Sequence, residues 1–327
     1  MIENKLRAPF PWFGGKSRAA DVIWQRFGNV PNYVEPFAGS LAVLLGRPHA
    51  ARIETVNDKD AYLANFWRAL AYAPDELTRF ADWPVNEADL HARHVWLLAQ
   101  SDFRERMSSD PDYYDCKIAG WWVWGLCQWI GSGWCSEDYY NESGKQQLPH
   151  LGNAGRGINR PSQQLPHLGD AGRGLLEYFH VLAERLRTVR VCCGDWSRVL
   201  GDTPTFHNGI TGILLDPPYS ASADRDETLY GTDDLNIAHE VRAWAIEHGN
   251  NPQLRIALCG YDTEHAMPDD WQAYAWKARG GYGSQGNGRG RDNAAREVIW
   301  FSPHCLGIRQ PDMFAAEATP LDTRVIL

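Results

Sequence analysis

The stretch that most constrains the fold is Gly212-Ile213-Leu214-Leu215-Asp216-Pro217-Pro218-Tyr219. A short apolar run that ends abruptly in Asp-Pro-Pro-Tyr reads as a buried strand delivering a polar loop at its carboxyl end. Open α/β sheets hold their ligands at that end, so the loop is the candidate active site. Asp216, Pro217, Pro218 and Tyr219 are its candidate catalytic residues.

Those four residues suit the exocyclic amine of a nucleobase, a poor nucleophile because its lone pair is delocalised into the ring. Two acceptors, the Asp216 carboxylate and a main-chain carbonyl held out of helix by the proline that follows it, would bind the amine hydrogens. Fixed acceptors of this kind localise the lone pair toward an electrophile. Tyr219 offers a ring face on which an extruded base could stack. The plainer alternative for the same residues is a strand followed by a proline-stiffened turn.

Earlier in the chain, Phe10-Pro11-Trp12-Phe13-Gly14-Gly15-Lys16-Ser17 leads through a Ser17 cap into an expected helix over residues 18–27, closed by Gly28. Ala19, Val22, Ile23 and Phe27 share one face of it. The Gly-Gly-Lys turn lacks the further glycine of a phosphate loop. It is either a ligand contact through Trp12 and Lys16 or an ordinary capped helix. Residues 33–45 then read as strand, tight Gly39 turn and helix, a turn that lets a ligand approach the backbone closely. About twenty residues on, residues 53–56 form a strand ending in Asn57-Asp58, where an acid binds ribose hydroxyls in nucleoside-binding α/β folds. A helix over 60–73 buries Leu63, Phe66, Trp67 and Leu70.

Between residues 74 and 187 the composition shifts. Trp121, Trp122, Trp124, Trp129 and Trp134 cluster there, and residues 146–157 recur as 163–174 with the single change Asn153 to Asp170. Two copies make a duplicated loop and not a solenoid. The repeat either presents His150 with Arg156 and His167 with Arg173 to phosphates or base edges, or is a duplication in a tolerant surface loop. The tryptophans either stack on bases or form a small core.

The α/β pattern resumes with a helix over 175–187, strands over 189–193 and 210–215, a helix over 237–248, and strands over 254–259 and 297–301. Gly194-Asp195-Trp196 follows the first of these strands. A Gly/Arg loop over 280–291, with Lys277, Arg279, Arg289 and Arg291, is the most basic local segment and suits phosphate contacts.

Composition excludes several classes. With 327 residues, the chain exceeds the usual single-domain size. An apolar fraction of 44% and a charged fraction of 22% are ordinary for a globular protein, and no run approaches the roughly 20 apolar residues of a membrane span. The N-terminus lacks the apolar stretch of a secretory signal, so a cytoplasmic location is expected. Seven cysteines without a Cys-x-x-Cys pair do not make a disulfide framework, and eleven scattered histidines give no metal motif. A net charge of -9 confines DNA binding to one basic face.

Together these segments resemble the Dam-like (D12 class) DNA adenine methyltransferases that use S-adenosylmethionine. Pro11-Trp12-Phe13-Gly14-Gly15-Lys16 is similar to the family's N-terminal cofactor segment and Glu35-Pro36-Phe37-Ala38-Gly39 to its glycine motif. Asn57-Asp58 is similar to its ribose-binding acid and Asp216-Pro217-Pro218-Tyr219 to its catalytic loop. By that likeness Trp12, Lys16, Glu35, Phe37, Gly39, Asp58 and Asp216 bind S-adenosylmethionine, and Asp195 lies near the cofactor adenine. The chain departs from the family at Leu41, where a second glycine is usual, and in its recognition insert.

The resemblance implies a Rossmann-like, seven-stranded, mostly parallel methyltransferase core built from residues 1–73 and 188–327, with an inserted DNA-recognition domain over 74–187. It implies methyl transfer to N6 of a flipped adenine in double-stranded DNA. The segments themselves put Arg156, Arg173, Lys277, Arg279, Arg289 and Arg291 on the DNA and give no metal and no membrane segment; the oligomeric state stays open, with a monomer favoured. Two alternatives stay open: the same fold acting on cytosine N4 or a modified base, and an inactive DNA-binding or decoy protein.

Overall fold

The computed structural model describes residues 6–10, 12, 15–50, 52–110, 112–130, 134–135, 157–158, 174–218, 237–262, 264–276 and 297–307. Tyr219, Arg156, Arg173, Lys277, Arg279, Arg289 and Arg291 lie outside the described residues, as does the duplicated loop apart from Gly157 and Gly174.

Strand β1 (Asn32–Glu35) lies inside a seven-stranded sheet, parallel both to β2 (Ile53–Asp58) and to β6 (Thr211–Leu215). Beyond β2 lies β5 (Val189–Cys193), and beyond β6 lies β7 (Leu254–Tyr261), both parallel to their neighbours. Only β9 (Glu297–Phe301) runs the other way, wedged between β7 and β8 (Gln272–Ala275). The spatial order is β5-β2-β1-β6-β7-β9-β8. From β1 the winding proceeds outward in one direction through β2 and in the other through β6. That reversal opens a crevice at their carboxyl ends, the place for a ligand in an open α/β sheet. A two-stranded ribbon, β3 (Trp129–Ile130) with β4 (Gly157–Ile158), stands apart.

Both faces of the sheet are covered, which is why β6 is buried along its whole length. Successive side chains alternate: Leu214 enters one core while Ile213 and Leu215 enter the other. The first core takes Tyr33, Val56, Ala257 and Ile299 from the sheet. It packs them under α1 (Ala20–Phe27), α2 (Ala42–Leu45), α3 (Ala61–Tyr72) and α8 (Leu175–Leu186). The second pairs Val34, Ile256, Leu258 and Trp300 with Trp196, Val199 and the Val241 face of α9 (Ile237–His248). Buried Glu54 on β2 accepts from Arg47 at 3.0 Å and from Arg185 of α8 at 2.6 and 2.8 Å, tying sheet to helix layer. Removing one partner from such a cluster costs about 3 to 5 kcal/mol because it strands the remaining charge.

Helices α4 (Pro74–Ala81), α5 (Glu87–Leu98), α6 (Phe103–Ser109) and α7 (Cys116–Gln128) fill the middle of the chain. Leu77 of α4 and Trp122 of α7 belong to the same apolar cluster as Phe66 of α3, so these helices share the core of the sheet's outer layer. Trp122, Trp124 and Trp129 are buried and Trp121 and Trp134 are half-buried, in favour of the core reading for the described tryptophans.

The expected Ser17 cap is not formed. Helix α1 starts at Ala20, and the free amides of Ala19 and Ala20 both donate to the Lys16 carbonyl at 2.9 Å, so the turn before the helix does the work assigned to the hydroxyl. Gly28, at φ 63, ends the helix as expected. The helix after Gly39 is a single turn of four residues, shorter than the pattern of apolar residues implies.

Candidate active site

At the end of β1, Glu35 is buried and accepts the Tyr33 hydroxyl at 3.0 Å. Burial drives its carboxyl well above the usual range. The Tyr33 hydroxyl works against that rise, and the Asp216 and Asp58 charges add to it. The loop that follows is clamped to β2 and β5 by Asn57: its amide nitrogen donates to the Pro36 carbonyl at 3.1 Å and to the Gly194 carbonyl at 2.9 Å. Ala38 N–H returns a bond to the Asn57 carbonyl.

Gly39 then turns with φ 47. Its N–H donates to Asp58 Oδ2 at 3.0 Å, its carbonyl accepts Trp67 Nε1–H at 3.0 Å, and the Trp12 indole lies against its Cα. A Cβ at this position would fall 2.7 Å from Trp12 Nε1, so the turn admits only glycine. Two residues later Leu41 also adopts the left-handed region, at φ 54, with its side chain fully buried. The backbone conformation that a glycine would adopt freely is thus kept by a leucine, at about 1 to 2 kcal/mol of strain, and the buried side chain returns about 1.5 to 3 kcal/mol.

Asp58, at the end of β2, also accepts Asp60 N–H at 2.9 Å. Asp195 is exposed and accepts Ser197 N–H at 2.9 Å, capping the turn after β5; Phe37 stacks on the neighbouring Trp196.

Asp216 emerges from β6 directly beside this cradle. Its Oδ2 lies 2.9 Å from Lys16 Nζ, and Glu297 Oε2, at the start of β9, lies 3.7 Å from the same nitrogen. Lys16 is almost wholly buried, which by itself would lower its pKa; the charges of Asp216 and Glu297 outweigh that and raise it. The Trp276 ring lies 5.5 Å from the ammonium. Beneath them burial pushes the Cys259 thiol far up, with the Asp216 charge adding to the effect.

The structure therefore brings Trp12, Lys16, Glu35, Gly39, Asp58 and Asp216 together at the carboxyl ends of β1, β2 and β6, with Pro217 and Pro218 following Asp216 out of the sheet. Sequence reasoning missed three members. Trp67 was read as core alone, and its indole N–H carries no sequence signal. Glu297 and Trp276 reach the site only because β9 pairs antiparallel with β7 and β8, a neighbourhood that local spacing does not encode. Among the described residues no group of three or more His, Cys, Asp or Glu is placed to hold a metal ion, and no helix is long and apolar enough to cross a membrane.

The family model of D12 class N6 adenine-specific DNA methyltransferases matches residues 12–114, from the Trp12 segment through α6. No curated protein matches the chain. The family match supports an enzyme that methylates DNA at adenine N6, and hence one that uses a methyl donor.

Proposed function

We propose that this adenine-specific DNA methyltransferase takes its methyl group from S-adenosylmethionine held at the ends of β1 and β2. It delivers that group to an adenine turned out of the duplex and held by Asp216. The observation that carries this reading is the position of Asp216, one strand from the Gly39–Asp58 cradle across the point where the sheet's winding reverses.

The residues present fit the cofactor. Gly39 leaves its backbone open to close approach, and the Asp58 carboxylate, oriented by two amides, suits a pair of ribose hydroxyls. Asp216 and Glu297 both face the Lys16 ammonium, two acids to one cation among the described residues, an imbalance that a cationic ligand relieves. Bound there, the cofactor supplies a methyl group on a sulfonium, an electrophile that needs no further activation.

The chain's own residues then make the amine reactive. Asp216 and the Pro217 carbonyl take its two hydrogens and turn the lone pair out of conjugation, and Tyr219 stacks on the ring. Loss of the amine proton follows transfer, when the nitrogen has become acidic, so a strong base is not required. Trp12 and Lys16 line the cofactor side, Phe37 and Asp195 the adenine end. Residues 74–187 form the target-recognition unit, and Arg156, Arg173, Lys277, Arg279, Arg289 and Arg291 hold DNA phosphates.

Asp216→Ala tests the reading. Asp216 is one-fifth exposed at a strand end, so its loss costs little packing. Radiolabelled methyl transfer to unmodified DNA should fall by more than the roughly 2.7 to 4 kcal/mol typical of one preorganised catalytic hydrogen bond, while DNA binding persists. Full activity in this variant would overturn the assignment, and methyl recovered on cytosine in the wild type would move the target from adenine.

A further inference from the structure

Lys16 lies between two acids of unequal standing. Its ammonium is 2.9 Å from Asp216 Oδ2 and 3.7 Å from Glu297 Oε2. Glu297 is more than nine-tenths buried, and its Oε2 is enclosed with no hydrogen-bond partner among the described residues. A buried acceptor left unsatisfied is costly, and charge-assisted N–H···O bonds settle near 2.9 Å. A displacement of the ammonium by about 0.8 Å would close the second contact. The Glu297 carbonyl accepts Trp276 N–H at 3.1 Å, fixing the strand start and the ring beside Lys16 in one frame.

Asp216 is thus already engaged by the strongest donor near it. A neutral amine must share this carboxylate with an ammonium held on its Oδ2, and methyl transfer puts positive charge on that amine. An ammonium still bound to Asp216 opposes that charge, and at a few ångströms like charges cost kilocalories even with substantial screening.

We propose that Glu297 is a positioning residue that draws the Lys16 ammonium off Asp216 as the target amine arrives, leaving Asp216 free to hold the amine. This rests on the assignment of Asp216 to the target amine. Glu297 never touches the base; it acts through Lys16. Only ionised Glu297 can do so, and burial raises its pKa, with the Lys16 charge pulling it back and Asp216 adding to the rise. Protonation of Glu297 in acid should therefore contribute to the acid limb of the kcat profile.

The test is steady-state methyl transfer by full-length wild type, Glu297→Gln, Lys16→Met and the double variant, with cofactor and DNA affinities measured by titration. Glu297→Gln is isosteric, and an unchanged melting temperature and cofactor affinity establish that it folds. The expected result is a fall in kcat of roughly tenfold or more with KM for either substrate nearly unchanged, and an acid limb that flattens. In the Lys16→Met background the same substitution should have no further effect, since the residue through which it acts is gone. Wild-type kcat and pH profile in Glu297→Gln, or an equal loss in both backgrounds, overturns the proposal alone. A wild type that transfers no methyl group overturns the Asp216 assignment and this proposal with it.

Discussion

At the scale of single residues, Asp58 holds opposing influences in one carboxyl. Withdrawal from water, with the Asp60 charge beside it, raises its pKa; the amides of Asp60, Gly39 and Lys59 pull it down, and the balance falls at about 7. Its folded value lies above its unfolded one. The associated stability of the ligand-free protein is therefore fully present below about pH 4 and is lost as the pH rises through about 7. If Asp58 holds the ribose hydroxyls, as proposed, cofactor binding runs the other way, because they need the ionised form. Affinity for S-adenosylmethionine should climb up to tenfold per pH unit below about 7 and level off above it. Asp58→Ala should weaken binding by about 1.5 to 3 kcal/mol and flatten that dependence. Calorimetry at several pH values checks both, and unchanged affinity would remove Asp58 from the site. This residue was legible in the sequence, because a strand end twenty residues after a glycine turn has few other places to go. Glu297 was not, since its meaning comes from a partner 281 positions away in the chain.

At the scale of the element, the β1–α2 turn departs from the pattern of the family that the chain resembles, at Leu41. Leu41 keeps a left-handed backbone while filling the first core. Strain relief and lost packing oppose each other in Leu41→Gly. Relief returns about 1 to 2 kcal/mol, whereas truncating a buried leucine costs about 2 to 5 kcal/mol. The variant should be net destabilised by roughly 1 to 3 kcal/mol in urea unfolding. A gain in stability would mean that strain, and not packing, dominates the turn. The strands and the long helices were readable from apolar spacing, and α3 falls within the helix expected over 60–73, with Asp60 as a cap that spacing had not singled out. The Ser17 cap was misread because a backbone carbonyl can satisfy helix amides as well as a hydroxyl can. Strand β8, with three of its four residues exposed or half-exposed polar or small side chains at a sheet edge, gave no apolar pattern to find.

At the scale of the molecule, the acidic balance of -9 requires DNA to be met by a local basic surface. Neutralising Arg289 and Arg291 together should lower DNA affinity at every sequence alike and reduce the slope of log affinity against log salt by about 2, as two lost phosphate contacts do. A changed sequence preference would instead assign that loop to base reading. The overall α/β architecture was legible because both faces of the central strands must be covered, whereas the sharing of one core by α3, α4, α7 and α8 emerges only from packing. The position of β9 between β7 and β8 has a consequence for the protein's synthesis. Five parallel strands, the cofactor cradle and Asp216 all leave the ribosome before residue 297 does. Until β9 inserts between two strands already made, the Glu297 carboxylate is missing from beside Lys16.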